Sequence, residues 1–166
     1  LVAEEGTQNI LNAISNECKL IFPSTHVVYE GISEVKKDIK EDETTKPVLS
    51  YSLSKAANEK QLRESGKNYV ILRLGSVYGY SNDTMRIDIM PNLFSKIASQ
   101  NGTLKLFAAG RQIKSLVPLV DVARCFKFIE ESDHIKSDLF NITKETLTVK
   151  EVAEICKKHN PQIELK

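Results

Sequence analysis

The spacing of apolar residues along this chain alternates between that of buried strands and that of amphipathic helices. Short apolar runs predict strands at Leu20–Phe22, Tyr69–Leu74, Leu104–Phe107 and Phe140–Ile142. Apolar residues at helical spacing predict a first helix around Ile10, Leu11 and Ile14, and a second at about Tyr51–Ser65 with Gly66 as its C-cap. A third helix is predicted near Pro91–Gln100, and a fourth begins from an N-cap at or beside Asp121. A last helix follows Thr148, which forms a capping-box pattern with Glu151. Strands that alternate with helices indicate an α/β fold with a mainly parallel sheet.

Charge and composition narrow the classes of protein to which the chain can belong. Glu34–Lys46 is rich in charge and predicts a solvated loop. Hydrophobic residues make up 41% of the 166 residues and charged residues 27%, as in soluble globular proteins. A net charge of +1 and the lack of an apolar run of about 20 residues give no reason to expect nucleic acid or a membrane as partner. Cys18, Cys125 and Cys156 show no metal-ligand spacing, so we expect reduced, mostly buried thiols in a cytoplasmic protein.

Tyr51 and Lys55 stand four residues apart in the second predicted helix, within "YSLSKAANE". Residues at this spacing lie on one face of a helix, so the two side chains are expected to be neighbours. A nearby positive charge favours the phenolate form of a tyrosine, which can then exchange a proton with a substrate hydroxyl near neutral pH. The alternative is a surface contact in which the tyrosine ring packs on the lysine stem. The pair alone does not distinguish the two interpretations.

Several longer segments follow one another in a recognisable order. They are "PSTHVVYEG", "YSLSKAANE", "VILRLGSVYG", "GRQIKSLVPLVDVARC" and "LFNITKETLTVKEVAEI". Together they resemble the signatures of the extended short-chain dehydrogenase/reductase family, and more narrowly its NAD-dependent epimerase/dehydratase branch. The resemblance covers nearly the whole chain and implies a partial Rossmann-type, doubly wound parallel sheet with part of a smaller C-terminal substrate lobe. It assigns residues 1–80 and about 120–142 to the NAD(P)-binding domain, and residues 81–119 and 143–166 to the substrate lobe.

The resemblance implies roles for individual residues of the chain. Tyr51 would be the catalytic acid/base, and Lys55 would hold the nicotinamide ribose and stabilise the phenolate. Thr25 matches the family's Ser/Thr that hydrogen-bonds the reacting oxygen, although a hydroxyl at a strand end also commonly bonds the backbone. Its position after a predicted parallel strand favours the functional role, because open α/β sheets bind ligands there. Gly75, Ser76 and Val77 match the segment that closes the cofactor pocket in the family. The alternative is that this segment only shapes a turn after the strand.

The substrate side departs from the family pattern. His26 and Val27 stand where the 4,6-dehydratases of the family carry an Asp-Glu pair that eliminates water, and valine cannot transfer a proton. The departure argues against a dehydratase and leaves an epimerase or a simple carbonyl/alcohol oxidoreductase. His26 is either a proton relay or a packed residue beside a strand end. Glu59 matches a frequent acidic residue of the motif helix and is interpreted as a helix-face charge without a role.

Substrate phosphates have candidate partners later in the chain. Lys114 stands where the family's phosphate-binding arginine usually lies, with Arg111 close by, and Ser76 replaces the asparagine of many sugar-nucleotide epimerases. A lysine can attract a diphosphate by its positive charge, but it lacks the two parallel N–H donors with which a guanidinium binds phosphate oxygens. Both cations can instead be surface charges that serve solubility. The segment "VPLVDVA" also resembles relatives that reduce carbonyl compounds lacking a nucleotide.

The glycine-rich turn that cradles the dinucleotide pyrophosphate in this family has no counterpart here, since no G-x-x-G-x-x-G pattern occurs. The chain is therefore interpreted as the central to C-terminal part of a longer enzyme, inactive by itself. The resemblance implies an epimerase-type oxidoreductase that uses NAD or NADP on a nucleotide sugar and forms a homodimer. The alternatives are an NADPH-dependent reductase of a small carbonyl compound and, from another class, a non-catalytic binding fragment.

Overall fold

The computed structural model describes residues 2–36 and 38–166. The strands are β1 (Lys19–Thr25), β2 (Asn68–Leu74), β3 (Ser76–Tyr78), β4 (Thr103–Leu104), β5 (Ile113–Pro118), β6 (Asp138–Ile142), β7 (Glu145–Thr148) and β8 (Glu164–Leu165). The helices are α1 (Val2–Ala13), α2 (Ser50–Glu64), α3 (Met90–Ser99), α4 (Leu119–Glu130) and α5 (Val149–His159), with 3₁₀-helices at His26–Tyr29 and Phe107–Gly110. None of these helices is long and apolar enough to cross a membrane. Leu1, at the start of the first predicted helix, and Lys37, in the predicted charged loop, lie outside the described residues.

The chain divides into two compact units. The first contains the described residues up to Leu74 together with Arg124–Ile142, and the second contains Gly75–Ala123 together with Thr143–Lys166. Helix α4 contributes residues 119–123 to the second unit and 124–130 to the first. The assignment of cofactor binding and substrate binding to separate parts of the chain stays a prediction.

A parallel sheet with strand order β1-β2-β6 forms the centre of the first unit. Val70 and Leu72 of β2 pack with Ile129 of α4 in one apolar cluster. Arg73, the next residue along β2, instead forms an ion pair with Glu59 of α2. Successive residues of a strand point to opposite faces, so α2 and α4 cover the two faces of this sheet. The predicted α/β fold with a parallel sheet is confirmed.

Helix α2, which carries Tyr51 and Lys55, has a well-defined C-terminal stop. Its C-cap is Ser65, and Gly66 follows with a φ of 69°. A residue without Cβ adopts this left-handed conformation at little cost, which explains why the helix ends here. The predicted span agrees with the observed helix to within one residue at each end.

The second unit contains two small sheets around a separate core. In one sheet β5 pairs with β3 in parallel and with β7 in antiparallel orientation, and in the other β4 pairs with β8 in parallel. Leu104, Leu116 and Ile163 are at most 2% exposed and pack with Phe94 and Val152. Burial of such side chains contributes about 1.5–3 kcal/mol each, which is enough to order strands of only a few residues.

Two predicted elements of the second unit differ from the structure. The predicted strand Leu104–Phe107 is wrong beyond its first residue, because Phe107 begins a 3₁₀-helix. Ala108 and Ala109 within that helix have φ values of 50° and 54°, which no strand accommodates. Helix α4 begins at Leu119, two residues before the predicted N-cap, since the residues before it are paired in a strand that ends at a proline.

The expectation of mostly buried thiols is wrong for one of the three cysteines. Cys18 is exposed, whereas Cys125 and Cys156 are half-buried. Burial raises the pKa of both half-buried thiols above the usual range. The protonated form of these two thiols is therefore favoured further, and neither has the character of a nucleophile.

Candidate active site

Tyr51 and Lys55 lie in the first two turns of α2, and their side chains are neighbours as predicted. The Nζ atom of Lys55 is 6.0 Å from the centroid of the Tyr51 ring and 4.7 Å from the centroid of the Phe22 ring. Tyr51 is 55% exposed. More than half of the Tyr51 surface is therefore left uncovered by the described residues.

The ammonium group of Lys55 is held at the end of β1. Its Nζ atom donates a hydrogen bond of 2.7 Å to the carbonyl oxygen of Pro23. Burial lowers the pKa of Lys55 below its usual range, and a charge so desolvated acts more strongly on its neighbours than one in water. Pro23 supplies the one acceptor that Lys55 has among the described residues, so two of its three N–H donors are available to a ligand.

Thr25 is the last residue of β1 and is 6% exposed. Its Oγ1 atom accepts a hydrogen bond of 3.2 Å from the backbone N–H of Val27 and caps the 3₁₀-helix His26–Tyr29. The backbone role given as the alternative is thus present. It does not exclude the functional role, because the hydroxyl hydrogen can still be donated to a ligand.

His26 links the ends of two strands. Its Nδ1 atom lies 3.0 Å from the carbonyl oxygen of Leu74, the last residue of β2. A carbonyl only accepts, so Nδ1 carries the hydrogen and donates it. This contact supports the interpretation of His26 as a packed residue, and its role as a proton relay stays a prediction.

A carboxylate from outside α2 fixes the N-terminus of that helix. Glu30 Oε1 accepts hydrogen bonds from the backbone N–H groups of Leu49 at 2.6 Å and Val48 at 2.8 Å, and from the hydroxyl of Ser52. The bond from Leu49, followed by that from Ser52, lowers the pKa of Glu30 below its usual range. A negative charge at a helix N-terminus is also favourable to the helix dipole. Glu30 therefore holds the backbone that precedes Tyr51 and the side chain of Ser52 that follows it.

Glu30 is expected to make the stability of the protein dependent on acid pH. Because its pKa is lower in the folded protein than in an unfolded chain, its contribution is complete above about pH 4.3 and is lost as the pH falls below that value. Glu30→Gln should thus lower the thermal midpoint at pH 7, and the difference from wild type should shrink as the pH approaches 3. Thermal unfolding at several pH values measures this difference. Glu64→Gln, which changes an exposed residue of α2, is the control, and a constant difference for Glu30→Gln would contradict the assignment.

Glu59 is buried, which corrects its interpretation as a helix-face charge without a role. It is 3% exposed, and its carboxylate accepts a hydrogen bond of 2.6 Å from Ser24 and one of 2.7 Å from Arg73. The signal that could have identified this pair is the arginine within the apolar run Tyr69–Leu74. A guanidinium in a buried strand requires a carboxylate partner from a neighbouring element.

The remaining predicted site residues lie in the second unit. Gly75 is buried, Ser76 and Val77 belong to β3, and Lys114 lies half-buried in β5. Arg111 is exposed beside the 3₁₀-helix that precedes β5. The roles of these residues toward cofactor and substrate stay predictions.

Known structures share this fold. The UDP-glucose 4-epimerase of Thermotoga maritima, solved with UDP-glucose, is 23% identical with a TM-score of 0.81, over 96% of this chain and 53% of that one. The UDP-glucuronic acid 4-epimerase of Bacillus cereus, solved with UDP-glucuronic acid and NAD, is 23% identical with a TM-score of 0.83, and the match covers 99% of this chain and 53% of that one. TunA, an NAD-dependent NDP-hexosamine 5,6-dehydratase, is 21% identical with a TM-score of 0.81, over 98% and 54%.

The chain thus spans about half the length of these structures. No curated protein matches it in sequence. The model of the NAD-dependent epimerase/dehydratase family matches residues 3–143, which include Thr25, Tyr51 and Lys55. The predicted resemblance is confirmed, and the chain belongs to the NAD-dependent epimerase/dehydratase family.

Proposed function

We propose that the natural protein containing this chain is an NAD-dependent epimerase-type oxidoreductase that acts on a nucleotide sugar. The observation that carries the proposal is the position of the Lys55 ammonium, bonded to Pro23 two residues before Thr25 and one helical turn from Tyr51. Membership of the family supports the reaction type, and structures of the same fold bind UDP-sugars and NAD. NAD is therefore the preferred cofactor over NADP.

The residues present fit the nicotinamide end of the cofactor. Lys55 has two N–H donors available to the ribose hydroxyls, and burial places its charge in surroundings of low polarity. In this proposal Lys55 and Tyr51 hold the nicotinamide ribose, and Gly75, Ser76 and Val77 close the pocket. NAD bound there supplies a reversible acceptor for the hydride of the sugar carbon.

Proton transfer would fall to Tyr51. Its Oη atom accepts the proton of the sugar hydroxyl as the carbon is oxidised and returns it when the carbon is reduced. The Lys55 ammonium stabilises the phenolate that exists before the proton is accepted and after it is returned, because opposite charges attract more strongly where water is displaced. The Thr25 hydroxyl donates to the same substrate oxygen and orients it. For epimerisation the oxidised sugar turns within the site before reduction on its other face.

The substrate side would use two cations and two hydrogen-bonding side chains. Lys114 and Arg111 supply positive charge for the diphosphate, and Ser76 and His26 supply hydrogen bonds to the sugar. We further propose a homodimer in the cytoplasm, on the resemblance alone.

The test is an assay of the natural protein with NAD and UDP-sugars. Conversion of a UDP-sugar to its epimer without a net change in NADH absorbance is the expected result. Stoichiometric oxidation of NADPH by a small carbonyl compound would instead identify a reductase. Cofactor binding with no conversion of any sugar or carbonyl compound would indicate a non-catalytic binding protein.

A further inference from the structure

A row of polar side chains crosses the parallel sheet one residue before its strands end. Ser24 of β1 is paired with Arg73 of β2, which is paired with Asn141 of β6. Ser24 and Arg73 are 3% and 2% exposed, so these two members of the row are removed from water, whereas Asn141 is half-buried. A guanidinium in the central strand of a sheet costs free energy of folding unless it is completely hydrogen-bonded.

Glu59 is the residue at which this row meets helix α2. Its carboxylate accepts from the Ser24 hydroxyl at 2.6 Å, from Arg73 Nε at 3.0 Å and from Arg73 Nη2 at 2.7 Å. Arg73 Nη1 donates in turn to the hydroxyl of Tyr29 and, at 3.2 Å, to the carbonyl oxygen of Glu41. Glu59 is therefore held in one orientation by a cation that is itself bonded on its other side.

Two polar side chains of α2 bind adjacent residues of β1. Lys55 is bonded to the carbonyl of Pro23, and Glu59, one turn further along the helix, is bonded to the hydroxyl of Ser24. Thr25 is the next residue. We propose that Glu59 is a positioning residue, which sets the register of α2 against the end of β1 and thereby the spacing between the Lys55 ammonium and the Thr25 hydroxyl.

Stability alone does not account for this arrangement. Replacing a buried ion pair with apolar residues of similar volume is often neutral or stabilising, so a protein that needed only a firm core would not require the pair. The hydrogen bond from Ser24 to Glu59 is directional, so it fixes the position of α2 along β1, whereas apolar packing allows the helix to shift along the strand. The proposal rests on the proposed function, in which Lys55 and Thr25 act on the same ligand.

The double variant Glu59→Met, Arg73→Met separates positioning from stability. It removes both charges at nearly constant volume, so its thermal midpoint should lie well above that of Arg73→Met alone, although the buried Ser24 hydroxyl loses its acceptor. Its kcat, measured per folded molecule well below the midpoint, should fall about 100-fold, because a misplacement of about 1 Å can cost that much. Ser24→Ala, which removes only the donor to Glu59, should also lower kcat and serves if the double variant does not fold. Glu64→Gln on the exposed side of the same helix is the control.

A folded double variant with the kcat of the wild-type protein would overturn the proposal, and so would an unchanged kcat in Ser24→Ala if the double variant does not fold. If the proposed function itself is wrong, the wild-type protein and Glu64→Gln will both lack activity, which distinguishes that outcome from a failure of the positioning role. In that case the crystal structure of a folded variant decides. Loss of the 2.7 Å contact between Lys55 Nζ and Pro23 O supports positioning, and its retention overturns it.

Discussion

Replacing Tyr51 with phenylalanine is expected to lower the turnover of the natural protein by about 100- to 10,000-fold, the range typical of losing a general acid/base. The affinity for NAD should fall far less than the turnover, because only the Tyr51 hydroxyl is lost from the proposed ribose contacts, while the Lys55 ammonium keeps its bond to Pro23. Steady-state kinetics give kcat, and NADH fluorescence titration gives the affinity. The phenol of Tyr80, which is 80% exposed, supplies the matched control Tyr80→Phe. A Tyr51→Phe protein with the wild-type kcat would exclude the proposed proton transfer.

Replacing Arg73 alone with methionine is expected to destabilise the protein by about 3–5 kcal/mol, the usual cost of leaving one charge of a buried pair without its partner. Glu59 would keep the Ser24 hydroxyl and the exposed arm of Arg63 at 3.4 Å as donors, and neither replaces the 2.7 Å bond from the buried guanidinium. Urea unfolding followed by circular dichroism measures the free energy of unfolding.

A matched control for Arg73→Met is Lys60→Met on the same helix. Lys60 pairs with Glu64 at 3.8 Å, and both side chains are largely exposed. Exposed pairs of this kind contribute about 0–1 kcal/mol, so the control should unfold almost as the wild-type protein does. If Arg73→Met and Lys60→Met lower the free energy of unfolding equally, the burial of the Arg73–Glu59 pair does not determine how much that pair contributes to stability.

Local pattern was enough for β1, β2 and α2 of the first unit. The apolar runs at Leu20–Phe22 and Tyr69–Leu74 lie within β1 and β2, and the stripe after Tyr51 lies within α2. The pairing of strands β3, β5 and β7 could not be predicted in this way. These strands are only 3, 6 and 4 residues long, and their partners lie far along the chain. Such pairing depends on tertiary contacts, which periodicity does not contain.

The same distinction applies to the candidate site. The neighbouring positions of Tyr51 and Lys55 follow from helical geometry alone, and the sequence predicted them. The bond from Lys55 to Pro23 and the cap that Glu30 places on α2 join residues 18 to 32 positions apart across a charged loop. Rules of sequence spacing relate residues only a few positions apart, so they do not predict these contacts. The buried state of Glu59 likewise depends on Arg73 from another element, so its sequence neighbours suggested a solvated helix face.

A crystal structure of the natural protein with NAD and a UDP-sugar tests the central claim most directly. The measurement is the distance from one sugar oxygen to Tyr51 Oη and to Thr25 Oγ1, together with that from Lys55 Nζ to the nicotinamide ribose. All three should lie within about 3.2 Å, the range of a hydrogen bond. A ligand bound with its reacting carbon away from Tyr51, while Lys55 stays on Pro23 and contacts no ribose, would contradict the account.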